Sequence, residues 1–115
     1  MLFLERNLYE SVRIDDSCKI TLIRTSRRTA TFKITEYLDG ANGTTKSNSK
    51  TLAVQGNFEH SAQKYFIVSG VRVTIMQVNK NSVRICFEAP VTIQILRQEI
   101  YDQMHEKSTL RTIPY

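Results

Sequence analysis

The stretch Asn81–Tyr101, NSVRICFEAPVTIQILRQEIY, decides how the rest of the chain is read. Val83, Ile85 and Phe87 alternate with Ser82, Arg84 and Cys86, the period of a half-buried strand. Ala89-Pro90 breaks that strand, because proline has no N–H to give to a ladder. Val91, Ile93 and Ile95 then alternate with Thr92 and Gln94, which predicts a second strand. Arg97 stands where this strand gives way to a helix whose apolar positions Ile100 and Met104 share one face. The order is strand, Ala-Pro corner, strand, arginine, short helix.

Toward the N-terminus the same strand period recurs. Leu2, Leu4 and Arg6 alternate with Phe3, Glu5 and Asn7, Ser11 to Ile14 gives a second strand, and Asp15-Asp16-Ser17 is a polar turn rather than a metal pair. Cys18 to Thr25 alternates again, Ser26-Arg27-Arg28 reads as a hairpin turn, and Ala30, Phe32 and Ile34 face away from Thr29, Thr31 and Lys33. No helical period appears before Thr35. Asp39 to Lys50, DGANGTTKSNSK, holds no large apolar residue and predicts a flexible linker with an r.m.s. span of roughly 20 Å.

Beyond it the pattern restarts. Thr51-Leu52-Ala53-Val54 is a degenerate first strand, followed by Gln55-Gly56-Asn57; Tyr65–Val68 echoes Val12–Asp15, Val71–Val78 echoes Cys18–Thr25, and Ser82–Phe87 echoes Thr29–Ile34, each at the spacing that separates Thr21 from Thr74. The chain therefore reads as residues 1–38, a first copy lacking its last strand and helix; 39–50, the linker; 51–107, a complete second copy ending in a helix; and 108–115, a tail. A single copy carrying a long insertion, and dimerising with a second chain, is the other organisation this pattern allows.

These residues resemble the carbon storage regulator (CsrA/RsmA) family of RNA-binding translational regulators. The resemblance is carried by Asn81, Val83-Arg84-Ile85, Ala89-Pro90, Arg97 and Glu99-Ile100-Tyr101, extending back to Tyr65-Phe66-Ile67 and forward to about Lys107. It is carried again by Met1-Leu2-Phe3-Leu4, Arg6, Glu10, Ile14-Asp15-Asp16 and Lys19-Ile20-Thr21-Leu22. It implies a mainly β fold of intertwined antiparallel sheets with one short C-terminal helix, here as a single-chain pseudo-dimer. Each half lends strands to the other's sheet, which covers edges that would otherwise invite aggregation, and joining the halves makes their association intramolecular.

The resemblance also implies where RNA binds. Each family site combines the first strand of one protomer with the last strand and following arginine of its partner. Here Leu4, Glu5, Arg6 and Asn7 of the first copy would meet Ile95, Leu96 and Arg97 of the second, in one composite site. The other site should be lost, since the first copy has no last strand and Gln55-Gly56-Asn57 stands about where a basic pair belongs. Asn7 takes the place of the family's second basic residue, Leu96 that of a frequent histidine, and Gln98 that of an acid. Arginine's planar fork suits a phosphate or a guanine edge, and unpaired loop bases are the usual target of sequence-specific RNA readers. The implied ligand is a GGA-containing hairpin loop in an mRNA leader or small RNA, and the implied outcome is control of translation, mostly repression, or of mRNA stability. The alternative is a protein-interaction module or decoy that has lost specific RNA binding and engages a flagellar assembly chaperone or another family member.

Composition agrees with an anionic partner. Sixteen Lys and Arg against eleven Asp and Glu give a net charge of +5. Arg24, Arg27 and Arg28 cluster at one hairpin as a basic extension of the RNA track. Cys18 and Cys86, without CxxC spacing, read as reduced packed thiols. The apolar run at Met1–Leu4 is too short for a signal peptide or membrane span, so a cytoplasmic protein is expected. His60 and His105 lack partners at ligand or general-base spacing, and GxSxG, HExxH and Gly-rich phosphate loops are missing. No enzyme, cofactor or metal is expected.

Overall fold

The computed structural model describes residues 1–39, 45–55 and 65–111. Nine strands and one helix follow in order: β1 (Leu2–Asn7), β2 (Ser11–Ile14), β3 (Cys18–Ser26), β4 (Thr29–Asp39), β5 (Thr45–Gln55), β6 (Tyr65–Val68), β7 (Val71–Val78), β8 (Ser82–Glu88), β9 (Ile95–Arg97) and α1 (Gln98–Arg111). They build two antiparallel sheets, ordered β1-β8-β7-β6 and β5-β4-β3-β2-β9.

The two halves exchange strands. β1, from the first half, pairs with β8 of the second, Leu2 opposite Phe87 and Asn7 opposite Ser82. β9, from the second half, returns to pair with β2 of the first, Val12 opposite Arg97 and Ile14 opposite Ile95. The mainly β, intertwined fold with its single C-terminal helix is the one the sequence implied. One irregularity recurs in both sheets. β3 and β4 slip register between Leu22 and Arg24, and β7 and β8 slip at the equivalent residues Ile75 and Gln77. A bulge locally increases strand twist, so both halves bend at the same place.

The inward residues of both sheets make one core. Ile14, Ile20, Leu22, Phe32 and Ile34 from one sheet and Val71, Val73, Ile75, Val83, Ile85 and Phe87 from the other are 2% exposed or less. The Phe32 and Phe66 rings tilt against each other across the layers, 5.8 Å between centroids. Each fully buried aliphatic or aromatic side chain contributes roughly 1.5–3 kcal/mol relative to exposure. Cys18 and Cys86 are free and buried within the sheets.

Three sequence expectations need correction. Thr45–Lys50, assigned to a linker, are the first half of β5, which pairs with β4 from Asp39↔Thr45 to Thr29↔Gln55. Its polar composition fits because β5 is an edge strand with Ser47 to Thr51 exposed, and polar edges resist pairing with further chains. Val91–Gln94 are not strand. The Ile93 N–H closes a turn on the Pro90 carbonyl at 3.0 Å, and Gln94 is held by Asp15, its N–H donating to the carboxylate at 2.8 Å while its carbonyl accepts the Asp15 N–H at 2.8 Å. Pairing with β2 resumes only at Ile95. The helix runs to Arg111, so residues 108–111 belong to it and not to a tail. Among the described residues no helix is long and apolar enough to cross a membrane.

Candidate nucleic-acid interface

Strand exchange brings β1 beside the start of α1. The Arg6 guanidinium, 5% exposed, donates from both terminal nitrogens to the Glu99 carboxylate, Nη1 to Oε1 at 2.9 Å and Nη2 to Oε2 at 3.2 Å. Nη1 also reaches the Ser11 carbonyl at 3.3 Å and Nε the Glu5 carbonyl at 3.0 Å. Arg6 is thus a fastener between the two halves and not the exposed donor its position suggested. A bidentate arginine–carboxylate pair is geometrically specific as well as strong. The Arg6 guanidinium beside Glu99 holds that carboxyl below its ordinary value, with the Glu99 backbone N–H adding to the effect.

Arg97, at the last residue of β9, is exposed, and among the described residues its side chain has no hydrogen-bond or ion-pair partner. The sequence placed it correctly at the strand-to-helix junction. Leu4 and Ile95 are half-buried and pack on the core, so each presents only part of an apolar face. Glu5 accepts a hydrogen bond from the Ser82 hydroxyl at 3.2 Å. Asn7 is exposed, its backbone N–H donating to Glu10 at 2.6 Å. Leu96 is half-buried opposite Arg13. A shallow pocket of about 200 Å³ lies where β1 meets the Ala-Pro corner, lined by Met1, Leu2, Phe87, Ala89, Pro90, Ile93 and Ile95. Sequence reasoning missed Met1, Leu2 and Ile93 as parts of this surface; Ala89-Pro90 was read as a strand break and as part of the family resemblance, not as binding surface.

Behind β9 the helix is anchored by aromatic contacts. The Arg13 guanidinium lies between the Tyr37 and Tyr101 rings, 4.2 and 4.4 Å from their centroids. The Tyr101 hydroxyl donates to the Asp16 carboxylate. Burial first, then that bond, raises the Tyr101 pKa. Asp15 and Asp16 are therefore committed to structural bonds.

The register locates the counterpart of β1 in the second half. β5 stands against β4 as β1 stands against β8, and Thr29↔Gln55 answers Ser82↔Asn7. Gln55 thus occupies the place of Asn7, Val54 that of Arg6 and Leu52 that of Leu4. The basic position falls on Val54-Gln55, not on Gln55-Gly56-Asn57; Gly56, Asn57 and His60, with the side chain of His105, lie outside the described residues. β6, at the place of β2, pairs with β7 on one side, and on its outer edge no strand pairs among the described residues. Tyr65 and Ile67 on that edge are 49% and 66% exposed.

Two antiparallel sheets that trade edge strands, with an arginine at the junction of the returning strand and a C-terminal helix, are the architecture that the resemblance to CsrA-type regulators implied. Residues 60–106 match the CsrA family, described as a global regulator protein family. The chain is 43% identical over 42 residues to a translational regulator CsrA of Borrelia turicatae, covering 36% of this chain and 54% of that protein. Identity to the translational regulators CsrA of Desulforapulum autotrophicum and Treponema pallidum is 34% over 44 residues and 33% over 46, covering 38% and 40% of this chain and 54% and 63% of theirs. The chain spans about half the length of the first of these relatives. No solved structure is significantly similar.

Proposed function

We propose that this protein is an RNA-binding post-transcriptional regulator with one composite site per chain, made by β1 and β9, that takes a GGA-containing hairpin loop of an mRNA leader or small RNA. Bound over a leader, it would control translation, mostly by repression, or mRNA stability. The observation that carries this reading is the exposed Arg97, without a hydrogen-bond or ion-pair partner among the described residues, at the end of a strand whose following helix the Arg6–Glu99 fork ties to β1, two residues beyond Ile95 of the apolar pocket. Arg97 supplies the accessible fork of donors, the pocket seats an unstacked base, and Arg6 acts as a positioning residue. Val54 at the place of Arg6 and the unpaired β6 edge support a single site.

The test is a fluorescence-anisotropy titration at stated salt, comparing a GGA-loop hairpin with a scrambled loop. Wild type should prefer the GGA loop with one RNA per chain, and Arg97→Ala should abolish the preference, costing on the order of tenfold in affinity. Equal, weak binding of both loops, unaffected by Arg97→Ala, refutes the reading. That outcome would favour the second reading, a protein-interaction module engaging a flagellar assembly chaperone or another family member. The observations on its side are the engagement of Arg6 by Glu99 and the open edge of β6.

A further inference from the structure

The two halves present their equivalent hairpin turns at the same end of the molecule. The β3–β4 turn carries Arg27 and Arg28, with Arg28 in the left-handed region at φ 61°. The β7–β8 turn carries Asn79, Lys80 and Asn81. The Thr25 hydroxyl donates to the Lys80 carbonyl and ties the turns together. Between them lies a cleft of about 470 Å³ lined by Thr25, Ser26, Arg27, Arg28, Val78, Asn79 and Lys80. Three cations border it, its described lining holds no carboxylate, and hydroxyl and amide groups fill the intervals.

The cleft is continuous with β1. The Leu8 N–H donates to the Asn81 carbonyl at 2.9 Å, and Asn7 lies opposite Ser82, so the second turn continues from the end of the strand that carries Leu4. We infer that the cleft between the two turns is a second, sequence-independent binding site for phosphodiester groups, which holds the flanking backbone of an RNA seated at β1 and β9. This rests on the RNA-binding reading above. The chemistry is charge on exposed, flexible stems without a shaped base pocket, which positions a nucleic acid without reading it.

The experiment measures affinity for the scrambled-loop hairpin across a salt series, for wild type, Arg27→Ala/Lys80→Ala and the charge-keeping Arg27→Lys/Lys80→Arg. Both side chains are exposed, so the fold should survive, as circular dichroism would verify. The alanine pair should lower the slope of log affinity against log salt by about 1.5, two phosphate contacts' worth, while the charge-keeping pair leaves it unchanged. The alanine pair should weaken GGA and scrambled loops by the same factor. An unchanged slope, or a loss confined to the GGA loop, overturns the cleft whatever Arg97→Ala does. Conversely, a loop preference that survives Arg97→Ala overturns the composite site and leaves the cleft's slope to be judged by its own variants. Wild type that binds neither RNA overturns both.

Discussion

Glu99→Gln tests whether the Arg6 fork holds the two halves together. The glutamine keeps the shape and one acceptor but removes the nearer, bidentate counter-charge of the 5%-exposed Arg6. Removing one partner of a fully buried ion pair costs about 3–5 kcal/mol. Here the Glu99 side chain is 49% exposed, Arg6 keeps the Ser11 and Glu5 carbonyls, and Glu10 stands 3.9 Å away, so water and these acceptors absorb much of the loss. About 1–2 kcal/mol is expected, from the scale of a charged hydrogen bond. The pH dependence follows from the depressed Glu99 pKa, ordinarily 4.5. A carboxyl whose folded pKa lies below its unfolded one contributes stability that is complete above the unfolded value. That contribution disappears as pH falls through the folded value. Urea melts of wild type should therefore lose this increment below about pH 4.5, and melts of Glu99→Gln should lack it. A variant within about 0.3 kcal/mol of wild type at pH 7, with the same acid profile, would refute the fastener.

Other variants probe other parts. Arg13→Ala removes two cation–π contacts worth roughly 0.5–1 kcal/mol each and should destabilise by about 1–2 kcal/mol, with loss of helical circular dichroism as α1 detaches from β2. The Cys18 thiol, pushed up to about 11 by burial, should resist an aromatic disulfide reagent at pH 8 and react only as the protein unfolds in urea. Val54→Arg introduces a guanidinium at a site 7% exposed, with no helix carboxylate to receive it, and should cost about 2–3 kcal/mol in a urea melt.

The strands that carry alternating large apolar residues were legible from sequence because burial on one face imposes a period of two. Val71–Val78 and Ser82–Glu88 are the clearest instances. β5 was not legible. It is held by backbone pairing to an extended β4, and its exposed Ser47, Asn48 and Ser49 carry no periodic signal. The end of the Ala-Pro corner was misread for the opposite reason. Val91, Ile93 and Ile95 alternate, but Val91 is fully exposed and the long-range bonds to Asp15 decide the conformation. Arg97 was found because a strand-to-helix junction is visible locally. The engagement of Arg6 was hidden, since its partner is 93 positions away and only the strand exchange brings them together.

That exchange also explains why the two halves differ at the position of Arg6. An arginine buried at the end of a first strand needs a carboxylate close against it, and beyond the longer Glu10 contact at 3.9 Å a returning strand and helix must supply it. Among the described residues β9 with α1 is that element, and it closes on β2 by pairing Ile14 with Ile95 and Val12 with Arg97. The β6 edge receives no equivalent among the described residues. On the β5 side a buried guanidinium would therefore meet no counter-charge among the described residues, and a β-branched apolar residue fits both the strand and the core. Val54, 7% exposed, is the residue such a site accommodates, because a guanidinium there would be desolvated without a partner carboxylate among the described residues.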